Sequence, residues 1–455
     1  MLMQIKKTRF NLKPDMNICQ SDYPLDWYQE EFIPYAEEYI ALPDRKPATI
    51  ISWMRKYIEP AQKYFGDTLL LLAHYYMGGE IVKLVEIFGG EVADSYQLAL
   101  KAINNPNKKI IIESAVHFMA EAVAILADAS QKVYITNPKA GCTMEMYAKE
   151  HMVLPALNFL NNNFGKENIL PICYMNTSGK VKALAGAQGG AVCTSSNVEK
   201  IFAWAIKQNK KIIFIPDQHM GENVCGRLKI PKEKIAYWPC GEMAVKFSDK
   251  SPQQIKEFNK ANVVLFSSYC SVHTYFSPEM VNYWHERNFT VVVHPECRKV
   301  VTDITDAQGS TAFIWDYIIN DRAKTKKYAI GTENHMVENL KQAAITKGIE
   351  VVNLAEITFG KTNFKMHGCG CATMARNDPP HLVALLDLLR QGKMLEYNLV
   401  KPGDTVNEFT GARERLPTEG QNWICENAKI ALQNMIKITQ EIDFVPNLKE
   451  CDKIK

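Results

Sequence analysis

The stretch TLLLLAHYYMGGEIVKLVEIFG, residues 68–89, decides how the whole chain is read. Leu69 to Ala73 run without a polar break, His74, Tyr75 and Tyr76 follow, and from Ile81 apolar residues recur at helical spacing. An unbroken apolar run marks a strand covered on both faces, as in a parallel sheet; a half-exposed strand would alternate. The stretch therefore predicts strand, polar loop, helix. Eight further segments repeat the pattern, at 109–127, 132–150, 169–187, 191–206, 211–224, 262–284, 290–303 and 327–344. In each, the polar cluster stands directly after the strand, at the edge where parallel sheets bind ligands.

Nine such units exceed one ordinary sheet. Taken in threes they form a weak internal repeat of roughly a hundred residues, and the fold class expected is α/β, with three small three-layer αβα domains built on parallel sheets. The expected division is an N-terminal extension at 1–45, domains at 46–140, 141–268 and 269–380, and a helical segment at 381–455. In that last segment HLVALLDLLRQGKMLEY and NWICENAKIALQNMIKI carry helical periodicity.

The chain has 455 residues, 47% of them hydrophobic and 23% charged, with a net charge of +3. That balance fits a multidomain globular protein and points to neither nucleic-acid binding nor disorder. The longest apolar run, TLLLLAHYYM, is about half a membrane span. MLMQIKKTRFNLKPD lacks the apolar centre of a secretory leader. Twelve scattered cysteines then read as reduced thiols, and a cytoplasmic, non-membrane protein is expected.

Three cysteines stand apart from the rest. Cys142 follows the third strand in NPKAGC, Cys270 follows the seventh in SSYC, and Cys371 lies in the glycine-bracketed turn HGCGCATMARN. Three soft thiolates brought together suit zinc or an iron–sulfur cluster. Spacing alone leaves unrelated buried thiols as an equal reading, because there is no CxxC pair. GSTAFIWDYII places Ser310 and Thr311 at a helix start, where free N–H groups make an anion site. Ser95 in DSYQLALKA and Ser195 in TSSNVEKIFAWA are read the same way.

The motifs AHYY, VHFMAE, NPKAGC, YMNTS, CTSSN, PDQHMG, CSVHTYFSPE, HPEC, GST, GTE and CATMARN occur in this order, from about Leu69 to Leu382. With them the chain resembles the quinolinate synthase family. The resemblance implies three α/β domains about a pseudo-threefold axis, and a 4Fe–4S cluster on Cys142, Cys270 and Cys371 with one iron left open. It implies condensation of iminoaspartate with dihydroxyacetone phosphate to quinolinate in de novo NAD synthesis, with L-aspartate oxidase or aspartate dehydrogenase as the supplier. It makes Tyr76, Tyr174, His294 and Glu296 catalytic. His74, Ser95, Tyr174, Asn176, Ser195, His294, Glu296, Ser310 and Thr311 become substrate-binding. Asp217, Gln218, His219 and Glu333 match motifs and shape the site. Cys240, Cys297 and Cys369 are not expected as ligands. The competing readings are an iron–sulfur hydro-lyase, against which the other motifs argue, and a non-enzymatic iron–sulfur or zinc redox sensor, which would not need Tyr76, Tyr174, His294 and Glu296 at strand ends.

Overall fold

A computed structural model describes residues 23–77, 81–247, 252–358, 368, 370–407 and 410–441. Cys369 and the first 22 residues of the extension lie outside the described residues. The protein is α/β, with three parallel sheets flanked by helices.

Leu69–His74 is the hub of the first sheet, between Glu91–Ala93 and Ile110–Ser114, with Lys132–Ile135 beyond. Every residue of Leu69–His74 is buried, as its unbroken run predicts. Alternation sends its side chains to two separate layers. Leu69, Leu71 and Ala73 pack in the core that holds helices Pro47–Phe65 and Pro379–Arg390, while Leu70 and Leu72 pack in the one beneath Ser95–Ile103 and His117–Leu126. Each such leucine contributes about 1.5–3 kcal/mol by leaving water.

The second sheet runs Ala191–Cys193, Ile169–Tyr174, Lys211–Ile215, Val263–Phe266, Ile235–Trp238 in spatial order. The third runs Ala307–Gln308, Thr290–Val293, Lys327–Gly331, Glu350–Asn353. The grouping in threes fails at the seventh unit: Val263–Phe266 belongs to the second sheet, paired with Lys211–Ile215 and Ile235–Trp238. The strands that escaped the count of nine are short, down to the two residues Ala307–Gln308.

All three sheets nevertheless share an order. The first strand lies inside, the second beside it at an edge, and the third on its other side. The chain therefore reverses direction next to each first strand, and such switch points open the crevices where α/β sheets hold ligands. The residues at the ends of the first strands and just beyond are His74–Tyr76, Tyr174–Asn176 and His294–Glu296. Those after the second strands are Ser95, Ser195 and Ser310–Thr311.

At the C-terminal end, helix Thr418–Glu441 lies against Gly179–Gly186. A Cβ on Gly186 would fall 1.8 Å from the carbonyl oxygen of Asn427, so only glycine admits this approach. Among the described residues no helix is long and apolar enough to cross a membrane.

One buried group sits uneasily in this core. Glu113 is fully buried, flanked in register by Leu72 and Ile135, and neither carboxylate oxygen has a partner among the described residues. Burial pushes its pKa from 4.5 to about 8. The folded value lies above the unfolded one, so Glu113 is tolerated best below pH 4.5 and stability declines as pH rises toward 8. Glu113→Leu should therefore raise the melting temperature, and by more at pH 8 than at pH 5, because each tenfold difference in proton affinity between the folded and unfolded chain is about 1.4 kcal/mol. Thermal melts at the two pH values check this; an equal gain at both would show that Glu113 carries no buried proton.

Candidate active site

The sheet edges face a common cavity. Its wall includes His74, Tyr76, Ser95, Tyr174, Asn176, Ser195, His294, Glu296 and Thr311, with Cys142, Cys270 and Cys371. Of the residues expected to be catalytic, substrate-binding or cluster ligands, Ser310 alone is absent from that wall.

Glu296 is the anchor. It is buried, Tyr174 Oη donates to its Oε1 at 2.6 Å, and its Oε2 lies 2.7 Å from His273 Nδ1. Burial alone would raise its pKa. The imidazoles of His273 and His294 and the hydrogen bonds from His273 and Tyr174 outweigh burial and hold it at about 2. Glu296 is therefore a carboxylate at neutral pH and can only accept, which makes His273 Nδ1 the donor; in the neutral ring Nε2 is then the acceptor. Nε2 meets Thr332 Oγ1 at 3.1 Å, so that hydroxyl donates to it. Thr332 Oγ1 in turn lies 3.0 Å from Tyr76 Oη, which must then donate, and Thr311 Oγ1 donates back to Tyr76 Oη at 2.9 Å.

The result is a single directed chain: Thr311, Tyr76, Thr332, His273, Glu296, with Tyr174 entering at the far end. Burial keeps both Tyr76 and Tyr174 well above the ordinary phenol range, so both hold their protons. Burial also pushes His74 and His294 down to about 3, so both are neutral. The His294 ring stacks on His273 at 4.4 Å between centroids.

Two members of this chain, His273 and Thr332, escaped the sequence reading. Each stands inside a quoted motif, CSVHTYFSPE and GTE. The available signal was position. His273 is three residues past Cys270 on the one-turn helix Ser271–Thr274, and Thr332 directly follows the third strand of its sheet.

The hydroxyls read as anion holders differ in what they do. Ser310 Oγ accepts the Phe313 N–H at 3.3 Å and so caps helix Thr311–Ile319. Ser195 lies in the cavity wall, but its helix, Val198–Lys207, begins three residues later, after a turn closed by Asn197 Oδ1 on the Thr194 N–H at 2.7 Å. Ser95 opens helix Ser95–Ile103, whose cap is Asp94.

Asp217, Gln218 and His219 are not part of the cavity wall. Asp217 caps Gln218–Arg227 through the Met220 N–H. Glu333 does line the cavity, and its Oε1 accepts the Cys371 N–H at 3.0 Å. The glycines around Cys371 permit close approaches to neighbouring side chains. A Cβ on Gly368 would fall 2.2 Å from Asn353 Nδ2, and one on Gly370 would fall 3.0 Å from the His335 ring. They let the turn press against its own sheet's side chains, and this sets Cys371 beside Glu333.

Each cavity thiol follows the last strand, in chain order, of a different sheet: Cys142 after Lys132–Ile135, Cys270 after Val263–Phe266, Cys371 after Glu350–Asn353. Burial raises all three, and the Glu296 carboxylate, then Cys142 and Cys371, raise Cys270 further. Asn176 Nδ2 points at Cys142 Sγ from 3.9 Å. Three soft donors held at one wall fit a thiolate-bound metal centre, whose charge would reverse the cost of ionising them. Cys270, His273 and Glu296 also bring ligand atoms within 4.8 Å of one another. Both His273 nitrogens are already engaged, by Glu296 and by Thr332, which argues against a single ion there. Cys297 is buried in the third sheet's core and donates to Gly331 O, and Cys240 lies outside the cavity wall.

The family model described as Quinolinate synthetase A protein matches residues 57–403. A quinolinate synthase of Anoxybacillus flavithermus is 33% identical over 382 residues, covering 84% of this chain and 97% of that protein. The quinolinate synthase of Bacillus subtilis is 34% identical over 344 residues, covering 75% and 86%. The matched span contains every cavity residue named above, including the three thiols and the chain from Thr311 to Glu296, and on this ground the protein belongs to the quinolinate synthetase A family.

Proposed function

We propose that this protein is a quinolinate synthase, a transferase that condenses iminoaspartate with dihydroxyacetone phosphate and releases phosphate and water in de novo NAD synthesis. One observation carries the reading: three thiols and a solvent-shielded hydrogen-bond chain share one cavity, assembled from three sheets. An aspartate oxidase or dehydrogenase in the same cytoplasm would supply iminoaspartate.

Cys142, Cys270 and Cys371 would hold a 4Fe–4S cluster, which when bound supplies a Lewis-acidic iron with an open position. The remaining work falls to the chain's own side chains. As a phenol Tyr76 can give its proton to a substrate oxygen, while the Glu296 carboxylate, through Tyr174, takes one released by the substrate. The chain through His273 and Thr332 then links the protonated Glu296 to the Tyr76 phenolate and is the route by which the proton returns. No water is needed between them, and no net charge is created. Neutral His74 and His294 can donate to substrate oxygens without competing for the proton. The hydroxyls of Ser95 and Ser195 and the amide of Asn176 offer bonds to carboxylates and phosphate, while the Thr311 hydroxyl is given to Tyr76 and Ser310 caps the helix that Thr311 opens.

The test is anaerobic purification with iron and sulfide analysis, followed by an assay with dihydroxyacetone phosphate and iminoaspartate generated in place. Quinolinate and phosphate should appear in equal amounts. A protein carrying iron and sulfide that forms neither product would overturn the assignment.

A further inference from the structure

The tyrosines at the start of the described chain end on the turn that follows Cys371. Tyr23 Oη donates to the Ala375 carbonyl at 2.5 Å. Tyr28 Oη donates to Asp378 Oδ2 at 2.6 Å, and its ring stacks on His381 at 4.5 Å. The other oxygen of Asp378 caps helix Pro379–Arg390 by accepting the His381 N–H at 2.9 Å. Between these anchors lies the turn itself, closed by the Ala375 N–H donating to the Cys371 carbonyl at 3.0 Å.

The opposite side of the turn is held by loops of the first sheet. Asn137 Nδ2 donates to Arg376 O at 2.9 Å, and Asn377 Nδ2 donates to Ala115 O at 3.1 Å. The first-sheet loops thus grip Arg376 and Asn377, and the N-terminal extension grips Ala375 and Asp378. The two residues gripped by the first-sheet loops lie between the two gripped by the extension.

We infer that the extension is a strap that positions Cys371: Tyr23 and Tyr28 hold the turn at 372–378 and so set where the third thiol stands relative to Cys142 and Cys270. The consequence for metal retention rests on the proposed cluster. A strap that merely added stability would leave the Cys371 environment alone. The same extension supplies the control, because Tyr35 Oη makes an equivalent bond to Asp387 Oδ2 at 2.7 Å, farther along the same helix and away from the turn.

The experiment compares the Tyr23→Phe, Tyr28→Phe double variant with Tyr35→Phe and the unaltered protein. In metal-free protein, iodoacetamide labelling of Cys371 is timed by peptide mass spectrometry. In anaerobically loaded protein, iron release to a chelator is followed by absorbance. The double variant should react and release iron faster by on the order of tenfold, the scale of losing two hydrogen bonds. Tyr35→Phe should match the unaltered protein in both rates while melting at a lower temperature. Equal labelling rates in the double variant and the unaltered protein would overturn the strap, as would equal acceleration in Tyr35→Phe. Faster labelling in the double variant, in a protein that holds no iron or sulfide when prepared anaerobically, would keep the strap and remove the cluster.

Discussion

Cys142→Ala, Cys270→Ala and Cys371→Ala are each expected to give a folded, colourless protein that forms no quinolinate. The three thiols line one cavity wall but come from the ends of three different sheets, so no neighbouring sulfur can stand in for a lost one. Losing one thiolate of three would leave two donors for four irons, and the open position would become a defect. Folding should survive, because each of the three is only partly buried and its side chain is small. Cys240→Ala, Cys297→Ala and Cys369→Ala should keep both colour and activity. Cys297 is the sharpest of these controls, since its sulfur is fully buried and turned to the Gly331 carbonyl. Iron and sulfide content with visible absorbance checks the whole set. Bleaching in Cys240→Ala with colour retained in Cys270→Ala would move the second ligand to the segment that separates the two.

Glu296→Gln should lower turnover by about 10²–10⁴-fold while the protein stays coloured and binds substrate, the usual scale for removing an acid–base group. The amide carries one acceptor where the carboxylate has two, and both of its neighbours donate. Tyr174 and His273 cannot both go on donating to an oxygen, so either the His273 tautomer flips or the Tyr174 hydroxyl turns to accept from the amide NH2. If the tautomer flips, Nε2 becomes a donor facing Thr332, and the chain to Tyr76 reverses at that point. Tyr76→Phe should produce a loss of the same order by removing the other terminus. Steady-state kinetics on both variants, with substrate affinity measured separately, distinguishes a broken proton path from weakened binding. Unchanged turnover in both would dismiss the proton path altogether.

The sheets were legible because burial on two faces writes itself as an unbroken apolar run, and Leu69–Leu72 could be nothing else. Ala307–Gln308 was not legible, because two residues carry no period. His294, Glu296, Tyr76 and Tyr174 were found at strand ends, with the family motifs to name them. His273 and Thr332 were not. A histidine on a one-turn helix and a threonine after a strand look like ordinary loop polarity until the second and third sheets are docked. Ser310 shows the opposite limit. Sequence places a hydroxyl at a helix start, but whether it turns to the helix or to a ligand is a matter of rotamer, and here it turns to the helix.

The sharing of the cavity among three sheets has a consequence in time. Tyr76 and Thr332 are 256 positions apart in the chain, Tyr174 and Glu296 are 122, and Tyr23 and Ala375 are 352. On a ribosome adding about 5–20 residues per second, the first sheet is complete many seconds before its catalytic partners exist. No nascent fragment ending before the Cys371 turn can hold three thiols or connect Tyr76 to Glu296. On the proposed reading, fragments that end before this turn would therefore lack the full set of cluster ligands and would be inert.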